Sequence, residues 1–340
     1  MLAEPLSFPR HPSPHHTPLE DEPAFDAERH LALEPPDRVV RLSDLGYGSE
    51  AIADCATDVA VTAPFRVLSD EGVSAARIVA EKLRPHRTRT LSERRIASFA
   101  PAGVYRSAFL RDYCGSPVLA DFLSGVTGTP IAAHTLPMLQ VYVNFAPDDL
   151  ARAVDNWHAD SIGFSLVVMV SDPAEMQGGK FQYFAGTREE AAGYFSAAED
   201  SRLVFGYKDG LPPERMIDVT YPAPGYGLLM QGSMVVHRGA PLTRPGERTT
   251  FVSGFVARDV GLPDPTNTGR MQYWGQPTLL TELARHGAWR SRTKLDALIN
   301  DLPFTEDRQQ LIEALRDAVS DAERIIADME SAQKDETGET

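Results

Sequence analysis

Cysteine is almost missing from this chain. Only Cys55 and Cys114 occur among 340 residues, and neither stands in a C-x-x-C or other zinc-type spacing. A disulfide framework is therefore not expected, and a reducing cytoplasm is the expected compartment. Long apolar runs are missing as well. None approaches the ~20 residues that a membrane-spanning helix needs. The opening MLAEPLSFPRHPSPHHTPLEDEP has no apolar h-region of the kind that marks a secretory signal. Positive charge is scarce: Lys and Arg number 33 against 48 Asp and Glu, a formal net charge of −15. That argues against a nucleic-acid partner held through phosphate contacts and suits a small-molecule or polypeptide ligand. Gly178-Gly179-Lys180 is not part of a G-x-x-x-x-G-K-[ST] phosphate loop.

What remains is an ordinary globular composition, 42% hydrophobic, on a chain long enough for one large domain or two small ones. Residues 1–35 are rich in Pro, His and acidic residues and read as a flexible N-terminal tail. His11, His15 and His16 are then tail histidines rather than a metal site. Residues 36–130 read as a helix-rich part packed on the core. They open with a short strand at Val39–Leu42. A helix capped by Ser69 follows, with Val73, Ala76, Ile78, Val79 and Leu83 on its apolar face, and Arg84-Pro85 stops it. One or two short helices lie between Arg106 and Leu123, with Phe109, Leu110, Tyr113, Val118, Leu119 and Phe122 facing inward.

Strands dominate from 131 to 258. Leu139–Phe145 alternates strictly, with Gln140, Tyr142 and Asn144 on one face and Val141, Val143 and Phe145 on the other. Bulk on both faces suits a barrel strand between a lined cavity and an outer layer. An amphipathic strand with its polar side in water is the plainer reading. Ile162–Val170 is nearly continuous and β-rich, a buried strand. Gly178-Gly179 permits close backbone approach at the turn into Lys180–Phe184, which brings Phe181 or Tyr183 near the pocket. Glu189–Asp200 reads as a helix in an insertion. Ile217–Val219, Gly227–Gly232, Met234–His237 and Thr249–Ala257 complete seven or eight strands, which fits a double-sheet jelly roll. Residues 259–340 read as a helical C-terminal extension, and 36–340 as one compact domain. In the last helix, with Thr305 as expected N-cap, Leu311, Leu315, Ala318, Ala322, Ile325 and Met329 recur at spacings of four and three. That stripe fits a helix packed on its own domain or a homodimer contact equally well.

The chemistry gathers at Asn156-Trp157-His158-Ala159-Asp160. On an extended strand, residues i and i+2 leave the same side, so the imidazole and the carboxylate are placed to share a metal ion. Val235-Val236-His237-Arg238-Gly239 reads as a strand end carrying a second histidine. Two His and one carboxylate make the facial triad that holds non-haem Fe(II) with positions left open. A single strand histidine is more often a satisfied core residue; the joint pattern carries the reading. Arg248 stands eleven residues after His237, at the start of the core strand Thr249-Thr250-Phe251-Val252-Ser253. A guanidinium there needs a partner, and a carboxylate matches it bidentately.

H-x-D, a distal His, an Arg about ten residues on and a Thr two later together resemble the Fe(II)/2-oxoglutarate-dependent oxygenase superfamily. The likeness is to its phytanoyl-CoA hydroxylase-like small-molecule hydroxylases, over roughly Leu139 to Val256. It implies a mainly β fold with helical flanks and a double-stranded β-helix (jelly roll, cupin-like) core. It implies Fe(II) on His158, Asp160 and His237, and O₂ as oxidant. The co-substrate 2-oxoglutarate would pair its far carboxylate with Arg248 and Thr250, with Gln140 and Asn144 as further candidates on that side. Decarboxylation to succinate would be coupled to oxidation of a small molecule such as an amino acid or a natural-product intermediate. Related halogenases carry Gly or Ala where Asp160 stands, so hydroxylation, desaturation or ring formation is implied instead. Tyr142, Tyr183 and Arg188 are substrate candidates by position. Trp157 reads as packing beside the ligand, and His134 and His286 as structural. Two other functions stay open: a polypeptide-modifying hydroxylase of the same superfamily, and a non-catalytic jelly-roll binding protein.

Overall fold

The computed structural model describes residues 1–11, 13–89, 96–198, 202–203, 206–271 and 275–337. Its strands form two sheets in which every pairing is antiparallel. The larger holds β1 (Val39–Arg41), β2 (Val59–Thr62), β3 (Phe65–Arg66), β4 (Thr88–Arg89), β5 (Ser98–Ala100), β6 (Ile131–Ala133), β7 (Tyr142–Phe145), β9 (Phe164–Met169), β14 (Tyr226–Met230) and β16 (Thr249–Ala257). The smaller holds β8 (Ala153–His158), β10 (Phe181–Phe184), β11 (Arg202–Leu203), β12 (Gly206–Tyr207), β13 (Met216–Val219) and β15 (His237–Pro241). Their orders are β1-β2-β14-β9-β16-β7-β5-β4, with β3 on β14 and β6 on β16, and β11-β12-β8-β15-β10-β13. From β7 onward the chain switches sheets repeatedly: β7, β9, β14 and β16 lie in the first, and β8, β10, β13 and β15 in the second.

The period-2 pattern of these strands decides which layer each side chain enters. Val167, Met169, Leu228, Met230 and Val252 of the large sheet meet Phe181, Tyr183 and Val219 of the small one in a shared inter-sheet cluster. Their neighbours Leu166, Val168, Val170, Leu229, Phe251 and Phe255 point the other way, into a second cluster. That outer cluster is covered by α3 (Asp70–Leu83), α5 (Ala108–Cys114) and α6 (Pro117–Thr127). Trp157, Phe184 and Val236 on the outer face of the small sheet pack with Phe195 of α8 (Arg188–Ala197). The inner layer between the sheets is therefore where inward-facing polar side chains would meet.

Several expectations hold. Ser69 caps α3 by accepting from the Gly72 amide at 3.0 Å. Val141, Val143 and Phe145 share the helix-covered face while Tyr142 packs in the inter-sheet layer. Thr187 and Glu190 form a reciprocal capping box on α8; positions 199 and 200 of the helix expected there lie outside the described residues. Both cysteines are free thiols. No helix among the described residues is long and apolar enough to cross a membrane.

Others need correction. Residues 1–35 do not hang free. Ala3 is buried, and its amide donates to Arg258 O at 2.7 Å. Phe8, Leu19, Phe25, Leu31 and Leu33 pack on the helix-covered cluster, and the Glu22 carboxylate accepts from Ser107 and the Ala108 amide at the start of α5. His16 stacks on Tyr105, with ring centroids 5.1 Å apart. Ile78 and Val118 are exposed, about half of each, because both fall off the 3.6-residue stripe that buries Val79 and Leu119. The strand expected from Leu139 starts only at Tyr142, since Pro137 opens a helical turn over Pro137–Gln140. At the C-terminus, α10 (Leu279–Asp301) and α11 (Arg308–Thr337) form an antiparallel hairpin. Asp307, not Thr305, caps α11, accepting from the Gln309 and Gln310 amides. Ala318 and Ile325 of the apolar stripe are buried inside the chain, Ile325 against Gly287 of α10, whereas Leu315 faces solvent. The stripe thus has an intramolecular partner.

Candidate metal centre

β8 ends and β15 begins at a histidine, and the two strands pair so that His158 and His237 stand directly opposite each other. Asp160 follows two residues after β8. Its backbone amide donates to Gly232 O at 2.8 Å, which turns its side chain back between the sheets. One ligand atom from each of the three side chains lies within 4.8 Å of the others. Asp160 Oδ1 is 3.2 Å from His158 Nε2, and Oδ2 is 3.8 Å from His237 Nε2. The side chains are 2% (His158), 7% (Asp160) and 6% (His237) exposed.

Each imidazole is anchored through its far nitrogen. His158 Nδ1 lies 2.6 Å from Asn156 O, and His237 Nδ1 lies 2.9 Å from Val235 O. A carbonyl only accepts, so each Nδ1 carries the proton, and each Nε2 is turned toward Asp160. The ring of Phe181 stacks on His237 with centroids 5.5 Å apart. Ser165 on β9 donates to Asp160 Oδ2 at 2.6 Å. Gly232 is required where it is: a Cβ there would lie 2.4 Å from Asp160 Oδ2. Two imidazoles and one carboxylate converging in a buried layer form a donor set suited to a divalent borderline metal such as Fe(II).

A second polar group faces the same layer. Arg248 is 3% exposed, and its Nε donates to Gly179 O at 2.7 Å. Gly178 and Gly179, both at positive φ, make that approach possible. Burial holds the guanidinium below its ordinary range, opposed by the charges of Tyr221 and Asp155. Asp155 is in turn 3.6 Å from His158 Nδ1, which ties Arg248 electrostatically to the triad. Arg248 Nη1 has no hydrogen-bond partner among the described residues, and neither do Thr250 Oγ1 and Asn144 Oδ1. Thr250 and Asn144 are directly opposite across β16 and β7. Three buried polar ends without protein partners are costly unless something else satisfies them. A carboxylate entering beside the triad fits that need.

The remaining candidates divide. Tyr183 is in register with His237 on β10, packs in the inter-sheet layer, and has its phenol pKa raised by burial. Tyr142 lies in the same layer, its ring edge-on to Phe99. Gln140 is spent elsewhere: it sits in the helical turn and donates to His134 O at 2.7 Å. Arg188 lies half exposed on a separate cleft of about 300 Å³ that none of the triad side chains lines. It pairs with Glu189 and reaches Ser233 O at 3.3 Å. His134 and His286 are fully buried at hydrogen bonds away from the triad, as expected of structural histidines. Sequence reasoning missed Ser165 and Gly232. A lone hydroxyl in the apolar run 162–170 was the visible signal for the first, since a buried Ser needs a partner.

No protein-family model matches this chain, and no curated protein matches it. Among solved structures, the chain is similar to the non-haem α-ketoglutarate-dependent epimerase SnoN from nogalamycin biosynthesis. The two are 16% identical over 56% of this chain and 74% of that one, with a TM-score of 0.38. It is similar to the carbocyclase SnoK of the same biosynthesis at 12% identity, over 65% of this chain and 87% of that one, with a TM-score of 0.39. It is also similar to EvdO2 from Micromonospora carbonacea var. aurantiaca, determined with 2-oxoglutarate, at 13% identity over 67% and 93% of the two chains, with a TM-score of 0.39.

Proposed function

We propose that this protein is an Fe(II)- and 2-oxoglutarate-dependent oxygenase that oxidises a small molecule. The observation that carries the reading is the meeting of His158, Asp160 and His237 ligand atoms within 4.8 Å, with both imidazoles anchored through Nδ1. The exchange of successive core strands between two sheets supports a double-stranded β-helix around that centre. Bound there, Fe(II) supplies the redox chemistry that couples O₂ to decarboxylation of the 2-oxoacid. The residues do the rest. The anchored histidines and Asp160 would be the protein ligands of Fe(II). Arg248, helped by Thr250 and Asn144, orients the far carboxylate of 2-oxoglutarate and neutralises it in a dry layer. The inter-sheet apolar residues keep bulk water away from the reacting centre. Burial of all three ligands favours a substrate small enough to enter between the sheets over a folded polypeptide.

The test is succinate release from 2-oxoglutarate by the Fe(II)-loaded protein, with and without a panel of candidate metabolites. Fe(II)-dependent succinate formation, raised by at least one metabolite and lost in His158→Ala, is the expected result. A protein that binds metal and 2-oxoglutarate but never releases succinate would be a binding protein instead.

A further inference from the structure

The facial arrangement works only if Asp160 gives the metal one oxygen. A carboxylate can bind through one oxygen or both. A second Asp160 oxygen would be a fourth protein donor atom and would compete with a chelating 2-oxoacid for its place. Histidines have no such ambiguity, so the number of open positions depends on how Asp160 is held.

Two features hold it, and both act on the same oxygen. Ser165 Oγ, buried on the inward face of β9, donates to Oδ2 at 2.6 Å. Gly232 lies against that same oxygen so closely that an added Cβ would sit 2.4 Å away. Oδ1 is the oxygen turned to His158 Nε2, at 3.2 Å. A hydroxyl donating to a carboxylate oxygen makes a short charge-assisted bond, and that oxygen is then a poorer metal donor. Ser165 belongs to the strand, not to a loop. Its backbone is fixed by pairing with Met230 on one side and Gly254 on the other, so the hydroxyl cannot follow a swinging carboxylate far.

We infer that Ser165 is a positioning residue that keeps Asp160 bound through Oδ1 alone and so preserves the coordination position the 2-oxoacid needs. The inference rests on the metal-centre reading above. It predicts an unusual split: losing the hydroxyl weakens co-substrate binding without weakening metal binding.

The experiment uses the full chain as wild type, Ser165→Ala and Ser165→Thr, loaded with Co(II) as a spectroscopic replacement for Fe(II). Co(II) affinity, visible ligand-field absorption and calorimetric 2-oxoglutarate affinity are measured, with melting curves as a check on folding. Ser165→Ala should hold Co(II) at least as tightly as wild type, show an altered ligand-field spectrum, and bind 2-oxoglutarate roughly tenfold more weakly. Ser165→Thr, which keeps the hydroxyl, should restore the wild-type spectrum and affinity. Unchanged spectrum and 2-oxoglutarate affinity in Ser165→Ala would overturn the inference, and so would a loss of Co(II) affinity in that variant. A wild-type protein that takes up no Co(II) would instead sink the metal centre itself, and the role of Ser165 with it.

Discussion

His158 and His237 face each other across the β8–β15 pair with ring centroids 4.1 Å apart, and each anchors its Nδ1 on the carbonyl two residues earlier in its own chain segment. The repeated i to i−2 bond means each strand aims its own ligand, and pairing register brings the two together. The two Nε2 atoms thereby converge on the Asp160 carboxylate, at 3.2 and 3.8 Å.

His237→Ala should therefore remove metal binding while the fold survives. Losing an outer-shell partner that orients a ligating histidine typically costs about 10–100-fold in metal affinity or activity, so losing the ligand itself should cost roughly 100-fold or more in metal affinity. The stability cost is set by the Val235 carbonyl left without its donor, about 1–3 kcal/mol. Parallel metal titrations and denaturant melts separate the two effects. A variant that binds metal as well as wild type would remove His237 from the centre.

Gly232→Ala should damage the centre from behind. Its new Cβ would overlap Asp160 Oδ2, so either the carboxylate or the loop that orients Asp160 must shift. We expect a metal affinity at least about tenfold lower, the scale of an outer-shell defect. Gly125→Ala is the matched control. That glycine lies on the exposed face of α6 with nothing within 4 Å of the added Cβ, and the change there should stabilise by roughly 0.5–1 kcal/mol without touching metal affinity. Equal metal affinities in the two variants would show that Gly232 has no special part.

A pH effect on stability should trace to His134. Its Nδ1 accepts from the Leu136 amide, and its Nε2 faces Thr266, so the native ring is neutral. Burial pushes its pKa down to about 3, with the neighbouring His286 acting in the same direction and Asp264 opposing. In the unfolded chain the ring titrates near 6.5. Below that pH the unfolded state binds a proton that the native state refuses, so this residue's contribution to stability falls as pH drops from about 6.5 toward 3. The loss approaches about 1.4 kcal/mol per pH unit. Urea melts at pH 7, 6 and 5 should show that extra slope in wild type and not in His134→Asn, whose amide oxygen can still accept from Leu136. Identical slopes would mean that His134 takes up a proton in the folded protein.

The centre was legible because its logic is local. H-x-D needs only strand periodicity, and the alternation of Tyr142 with Val141, Val143 and Phe145 sorts side chains between two layers without further information. What was not legible depends on contacts across the fold. Ala3, Phe8, Leu19 and Phe25 are spaced too irregularly in a Pro-rich stretch to announce a packed strap, yet each finds an apolar surface built by distant helices. Gln140 matched the strand alternation, but Pro137 favours a helical start, and the turn rotates its amide onto His134 O. The stripe of α11 could not reveal its partner, because Gly287 admits Ile325 only where two helices cross.

Arg248 gives the sharpest remaining test, because its removal should act very unequally on two quantities. In the protein alone the guanidinium is buried, with Nη1 lacking a partner among the described residues, and burying a charge that is only partly paired is costly. Arg248→Ala relieves that cost, although it leaves a cavity and frees Gly179 O, so the variant should melt close to wild type. With 2-oxoglutarate the two proteins should separate. The co-substrate's far carboxylate would enter the inter-sheet layer beside Thr250 and Asn144, and without the guanidinium it would be a buried charge with no counter-ion. Deleting one partner of such a pair costs about 3–5 kcal/mol, a factor of several hundred or more in affinity. Wild type should thus gain melting temperature as 2-oxoglutarate is titrated in the presence of metal, and Arg248→Ala should gain almost none at the same concentrations. Arg248→Lys should recover only part, since an ammonium lacks the two-pronged geometry and cannot keep the bond to Gly179 O in the same pose. A 2-oxoacid without the distal carboxylate should stabilise wild type and Arg248→Ala to the same small extent. Equal 2-oxoglutarate shifts in wild type and Arg248→Ala would show that the far carboxylate docks elsewhere, leaving the three buried polar ends of Arg248, Thr250 and Asn144 to another ligand.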